Sequence, residues 1–290
     1  MKGALTICSL GPLKIAAMTQ VLLTVDTALS WAAHAGGASW QENLSASFDP
    51  RQLDLLRDQG LKGCFFVDPM PALVYGLEPV RRLVEPILAA GQDVQLLLHP
   101  VWQSVAEGFA EGTRFELTCF DAEDQLDLIE TARDLLVEAG APRPVAFRSG
   151  GYAADVRTLG ALLQVGLRFD SSHLPGKSAL PLESDLAGPV DLGGLIELPV
   201  TAVGETPEAE LSHALSAGHA LIALAGDGSS IERLCDFLAA HAQELPTAHF
   251  ADLNPVPAAT AVRPLPLQAL RRAGRPAAPV WPNALYQASP

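Results

Sequence analysis

The feature that most constrains this chain is a recurring alternation. Short apolar runs are each followed by a segment carrying helix-start and helix-stop signals. "QVLLTVD" opens the series with Val21, Leu22, Leu23 and Val25, the pattern of a strand buried on both faces. "FDPRQLDLLRDQG" follows with Asp49 as cap, Pro50 at the first helical position, leucines at 53, 55 and 56, and Gly60 as a stop. "KGCFFVDP" reads as the next strand. "EPVRRLVEPILAAGQ" reads as a helix that Pro86 should kink, and "DVQLLLHP" as a strand. The alternation continues with a helix capped by Asp121, the strand "PVAFRSGG", the helix "ADVRTLGALLQVG" and the strand "LRFDSS". "LIELPV", a helix near 207–217, "ALIALAG", "SSIERLCDFLAAHAQEL" and a last strand at "AHFADL" complete it. Parallel strands need crossover connections, so this order predicts an α/β fold with a parallel sheet. The number of repeats favours closure into a distorted (β/α)7–8 barrel, with an open doubly wound sheet as the alternative.

The flanks differ from this core. Residues 1–19 form an N-terminal extension: Lys2 precedes an apolar stretch, but Gly11-Pro12 and Lys14 interrupt it and no clean cleavage site follows. Met18 is an alternative start. Residues 20–253 hold the barrel domain. Residues 254–290 form a proline- and alanine-rich tail with four arginines and no acidic residue, expected to hold little structure.

Composition narrows the partners. A net charge of -14 disfavours phosphate backbones and anionic membrane surfaces. No apolar run reaches the roughly 20 residues of a membrane span. Cys8, Cys64, Cys119 and Cys235 are scattered, with neither zinc-ribbon nor disulfide-framework spacing, which fits a reducing, cytoplasmic location.

Chemistry is expected at the strand ends. Asp26, His99 and Arg148 each terminate an apolar run, where α/β barrels gather functional groups. Taken singly, each has a structural explanation: a turn cap, a histidine satisfied before proline, a cation paired with a core carboxylate. "GDGSSIERL" reads either as an anion-holding strand-to-helix loop or as a simple serine cap. A serine-hydrolase reading fails because "FRSGG" lacks the leading glycine of a nucleophile elbow.

Together these segments resemble the polysaccharide deacetylase family, the NodB-homology or carbohydrate esterase family four proteins, over roughly residues 20–253. "TVDTALSW" resembles its first motif, "LHPVW" its second, "FRSGGY" its third and "LRFDSS" its fourth, with "IELPV" a common strand. The nearest branch is the WalW-like proteins associated with surface-polysaccharide genes. The resemblance implies a zinc-dependent hydrolase acting on C–N bonds that removes N- or O-acetyl groups from sugars, with a carbohydrate or glycan precursor in the mouth. It implies Asp26 as general base, Arg148 orienting it, Tyr152 lining the oxyanion pocket and Asp170 bracing the motif. Trp31, Trp102 and Gly151 would contact the substrate, and His99 would ligate the metal.

Several family positions are changed. The acidic metal ligand after the base is replaced by Thr27 and Ala28, and the partner histidine positions hold Gln95 and Leu97. "ALIALAGDGSS" lacks the general-acid histidine. Strand alternation puts Ala28 on the side of Asp26 and Leu97 on the side of His99, so the losses fall where ligands are needed. His173, or His34 in the loop after the first strand, would have to complete an atypical site with Asp26 and His99. Two expectations follow: a degenerate hydrolase in which metal is weak or absent, or a non-catalytic carbohydrate-binding protein.

Overall fold

The computed structural model describes residues 19–108, 114–174, 180, 188–203, 221–226, 231–253 and 260–261. The first half alternates as expected: β1 (Gln20–Thr27), α1 (Trp31–Ala35), α2 (Trp40–Ser47), α3 (Arg51–Asp58), β2 (Gly63–Val67), α4 (Ala72–Tyr75), α5 (Glu78–Ala89), β3 (Asp93–Leu98) and α6 (Val101–Ala106). Then come α7 (Ala122–Glu138), β4 (Ala146–Ser149), α8 (Val156–Val165), β5 (Phe169–Asp170), β6 (Val190–Asp191), β7 (Ile196–Glu197), β8 (Val200–Val203), β9 (Leu221–Gly226), α9 (Ile231–Ala240) and β10 (Thr260–Ala261). Local signals account for the helix ends. Asp121 accepts from the N–H groups of Glu123 and Asp124 to start α7, and Asp155 and Thr158 form a capping box at α8, which Gly166 ends in the left-handed region.

The strands form one sheet in the order β10-β6-β7-β5-β4-β3-β2-β1-β9-β8, parallel except where β6 meets β7. β7 and β8 stand far apart in that order, yet only Leu198 and Pro199 separate them. Leu198 N–H donates to Asp170 O at 2.7 Å and Val200 N–H to His173 O at 2.8 Å, while β8 pairs with β9. One segment thus serves both flanks, and the sheet must curl. Pro199, with no N–H to donate, sits where the strand changes partner. The expectation of a parallel α/β sheet holds as a curled, mostly parallel sheet. Among the described residues, its one antiparallel pair is β6 with β7.

Residue parity sorts side chains to the two faces. Val21, Leu23 and Val25 of β1 pack towards the helices. Leu22, Phe66, Leu97, Phe169, Leu198 and Ala223 fill the concave face. "AHFADL" is not a strand but a plug. Its backbone clasps β1 through Ala248 N–H to Val21 O (2.9 Å), Phe250 begins a 3-10 turn, and the Phe250 ring lies 5.5 Å from Phe66 and 5.6 Å from Phe169. The helix expected near 207–217 lies outside the described residues. Within the tail, Thr260 and Ala261 are described, and they pair in parallel with β6.

A carboxyl pair joins the wall at β5 and β7. Asp170 and Glu197 are register partners, both fully buried. Ser172 Oγ donates to Asp170 Oδ1 at 2.5 Å and His173 N–H to Glu197 Oε1 at 3.0 Å. Burial, with the neighbouring Asp170 charge added, pushes Glu197 well above the usual carboxyl range and favours a proton on the pair.

Because the folded pair binds that proton more tightly than the unfolded chain, its stabilisation is complete below about pH 4.5 and is lost as pH rises through the folded pKa. Glu197→Gln, which has no proton to lose, should gain on the parent in melting temperature as pH rises above about 4.5; parallel profiles would contradict the raised Glu197 pKa. Removing the plug ring by Phe250→Ala should cost about 3 kcal/mol in denaturant unfolding.

Candidate functional site

Arg148 organises the mouth. It follows Ala146 by two residues on β4, so it points into the concave face, where it is fully buried. A cation there needs partners on every side. Nη1 donates to Asp26 Oδ1 at 2.6 Å, Nη2 to Thr24 Oγ1 at 3.0 Å and to Ser171 Oγ at 2.9 Å, and Nε to Ser171 O at 3.0 Å. Its planar face stacks 4.3 Å from the centre of the Phe66 ring. The second shell is pinned in turn: Thr24 donates to Leu224 O at 2.8 Å and Ser171 Oγ to Leu198 O at 3.1 Å. Asp26, at the end of β1, keeps 39% of its side chain exposed and brings the pair to the rim.

His99 stands beside it on the end of β3. Its Nδ1 meets Asp68 Oδ2 at 3.1 Å, and Asp68, fully buried, also accepts from Met70 N–H at 3.1 Å. Burial opposes the imidazolium. The Asp68 hydrogen bond and charge, with the Asp26 charge, outweigh it and hold the pKa above the ordinary value. The ring lies flat on Gly150, where an added Cβ would meet His99 Cδ2 at 2.3 Å. Only glycine leaves room for this histidine.

The turn after β4 is left-handed at Gly151 (φ 65°) and at Tyr152 (φ 62°), an uncommon conformation for a residue with a side chain. It sets the Tyr152 ring 5.7 Å from the Arg148 guanidinium. Burial first, then the Asp26 charge, pushes the phenol up to about 12, so Tyr152 stays a hydrogen-bond donor. Gly151 is exposed beside it. Trp31 is partly buried at the start of α1. Trp102 differs from the expectation of a substrate contact: it is wholly buried, its ring 5.6 Å from His34 and 5.9 Å from Tyr75, so protein already covers its faces.

The residues do not fit a divalent metal. A catalytic zinc site takes three protein ligands plus water. Here Leu97, 1% exposed, and Ala28 belong to the apolar concave cluster at the positions where further ligands would stand. One Asp26 oxygen is committed to Arg148, and Asp68 holds His99 Nδ1, which leaves Nε2 as the one imidazole donor the site offers. Among the described residues no three His, Cys, Asp or Glu side chains are grouped to hold a metal ion. The atypical set of Asp26, His99 and His173 is not formed: His173 is buried, its backbone tied to Glu197 and Val200, and His34 bonds Tyr75 instead. Residues 227–230 of the suspected anion loop lie outside the described residues.

Asp68 and Glu197 are the site-bearing residues that strand-end reasoning passed over. Asp68 ends "FFVD" just as Asp26 ends "LLTVD", and that shared pattern was the available signal. Glu197 interrupts an apolar strand on its buried side.

No protein-family model matches the chain, and no curated protein matches it. Solved structures do. A Mycobacterium smegmatis protein assigned to the polysaccharide deacetylases superposes with a TM-score of 0.51 at 18% identity, covering 87% of this chain and 96% of that one. The 4-alpha-glucanotransferase of Thermococcus litoralis reaches 0.51 at 13% identity over 80% of this chain, which spans 38% of that enzyme. A mutant of BA3943, a carbohydrate esterase family four pseudoenzyme, matches with a TM-score of 0.48 at 12% identity over 81% of this chain and 67% of its own. At these identities, what the chain shares with the polysaccharide deacetylases is their curled, parallel-rich α/β fold.

Proposed function

We propose that this chain is a polysaccharide deacetylase-like barrel that engages N- or O-acetylated sugars of surface-polysaccharide metabolism, with its metal-dependent hydrolysis impaired or lost. One observation carries the reading: the base-like Asp26 with its orienting Arg148 is kept intact, while Leu97 and Ala28 fill the adjoining ligand positions with hydrocarbon. A family site rebuilt around salt-bridged Asp26 retains a mouth shaped for sugar without the Lewis acid that activates water. The segment 196–203, shared between the two sheet flanks, supports a distorted (β/α)7–8 barrel, and the motifs of the sequence support the WalW-like branch. Cys64, Cys119 and Cys235 are free thiols, which supports a cytoplasmic setting.

The second reading is a non-catalytic carbohydrate-binding or accessory protein. It is favoured by the commitment of an Asp26 oxygen to Arg148 and by the apolar side chains at Ala28 and Leu97. The readings share the cleft and differ in turnover.

Zinc titration separates intact from dismantled ligand positions. Ala28→Asp combined with Leu97→His should bind zinc at least about tenfold more tightly than the parent, because both new donors project to the concave face without moving backbone. Without metal the double variant should melt lower than the parent, and zinc should recover the loss. Hydrolysis of an acetylated sugar should lag behind, since the missing acid typically contributes about 10² to 10⁴ in rate. A well-folded double variant that binds zinc no better than the parent, or a parent that holds one tight zinc lost on His99→Ala, would overturn the reading.

A further inference from the structure

The mouth holds two carboxylates on different duties. Asp26 gives an oxygen to the Arg148 guanidinium. Asp68, fully buried just past the end of β2, turns to the imidazole instead: Oδ1 accepts from Met70 N–H at 3.1 Å, and Oδ2 meets His99 Nδ1 at 3.1 Å. A buried carboxylate oxygen needs a donor, so Nδ1 carries the N–H and the neutral ring keeps its lone pair on Nε2. Nε2 hydrogen bonds to none of the described residues, and 31% of the His99 side chain is exposed. Gly150 sets where that nitrogen opens, since a Cβ there would stand 2.6 Å from Nε2. The turn that starts at Gly150 carries the Tyr152 ring to 5.7 Å from the Arg148 guanidinium, which itself bonds Asp26.

An imidazole whose tautomer is fixed by a carboxylate on one nitrogen, with the other nitrogen open, is the arrangement of a general base. We propose that Asp68 and His99 form a metal-free couple that hydrolyses O-acetyl esters of a sugar held in the mouth, with His99 as the base and Asp68 positioning it. This rests on the acetylated-sugar reading above and narrows the substrate to the ester. The oxygen of a water molecule bonds to the acetyl carbonyl carbon while one of its protons passes to His99 Nε2. The ester C–O bond then breaks, the Nε2 proton goes to the departing sugar oxygen, and acetic acid and a free hydroxyl leave a neutral His99. Against the cost of burial, the Asp68 hydrogen bond and charge and then the Asp26 charge favour the imidazolium that forms between these steps. An amide carbonyl is less electrophilic and its nitrogen leaves less readily, so N-acetyl groups need the Lewis acid that this mouth does not fit.

The test is acetate release by the full-length protein at about pH 8 in a strong chelator, from glucose pentaacetate and from N-acetylglucosamine. The parent should act on the ester at least about tenfold above the buffer rate and leave the amide intact. His99→Gln should cut kcat about 10² to 10⁴-fold. Asp68→Asn, whose amide donates to Nδ1 and moves the ring proton to Nε2, should lower kcat similarly with KM little changed. Histidine ¹⁵N spectra at about pH 9 should show His99 Nε2 unprotonated in the parent and protonated in Asp68→Asn. Circular dichroism establishes that each variant is folded, and the parent spectrum reads the tautomer without any variant. No ester hydrolysis by the parent, an undiminished rate in His99→Gln, or a parent Nε2 that carries the proton overturns the couple and leaves the carbohydrate reading standing. Ester hydrolysis that the chelator abolishes and zinc restores overturns the couple together with the loss of metal-dependent hydrolysis.

Discussion

The buried guanidinium of Arg148 is the constraint on which the rest of the mouth depends. Removing a charge of this size from water costs several kcal/mol even after relaxation, so the position survives only if each donor finds an acceptor. Asp26 and Thr24 supply them from β1 and Ser171 from the chain after β5, and Phe66 of β2 covers the flat face. These partners belong to β1, β2 and the chain after β5, so the arginine fixes the relative rotation of most of the rim. Asp26 is half of this clamp. Its position follows from structural need as much as from any chemistry it performs.

If the mouth is a deacetylase-like site with fewer metal donors, as proposed, that dependence explains how it stands without them. Leu97 and Ala28 join the apolar packing of the concave face, and His99 is held by buried Asp68 and by contact with Gly150. In a metal-centred mouth these groups would be organised around the ion. Here each has a protein partner: Asp68 holds His99, Arg148 joins Asp26 and Ser171, and between the two groups the Asp26 charge favours the His99 imidazolium.

Much of the layout was legible in the sequence because buried parallel strands are nearly continuous apolar runs and their helices begin with Asp caps. The polar residues ending those runs, Asp26, His99 and Arg148, were legible for the same reason. What was hidden depends on partners distant in sequence. Glu197 is pushed above the usual carboxyl range by its burial and by its register with Asp170. Trp102 looks like a loop aromatic free to meet ligand until α1 and α4 fold over it. "AHFADL" has the composition of a strand, but Phe250 fits the space between Phe66 and Phe169, and the backbone bends to put it there. No local pattern encodes that the two halves of "IELPVTAV" pair with opposite flanks of the sheet.

The claim that protein groups, and not a bound ion, hold the mouth together is tested most directly by thermal unfolding of the freshly purified full-length chain with and without a strong chelator. An ion bound far more tightly than its free concentration would add several kcal/mol to the folded state, a shift of many degrees. The arrangement around Arg148 predicts the same melting temperature in both solutions. A fall of more than about 5 °C on chelation, reversed by adding back zinc, would contradict it.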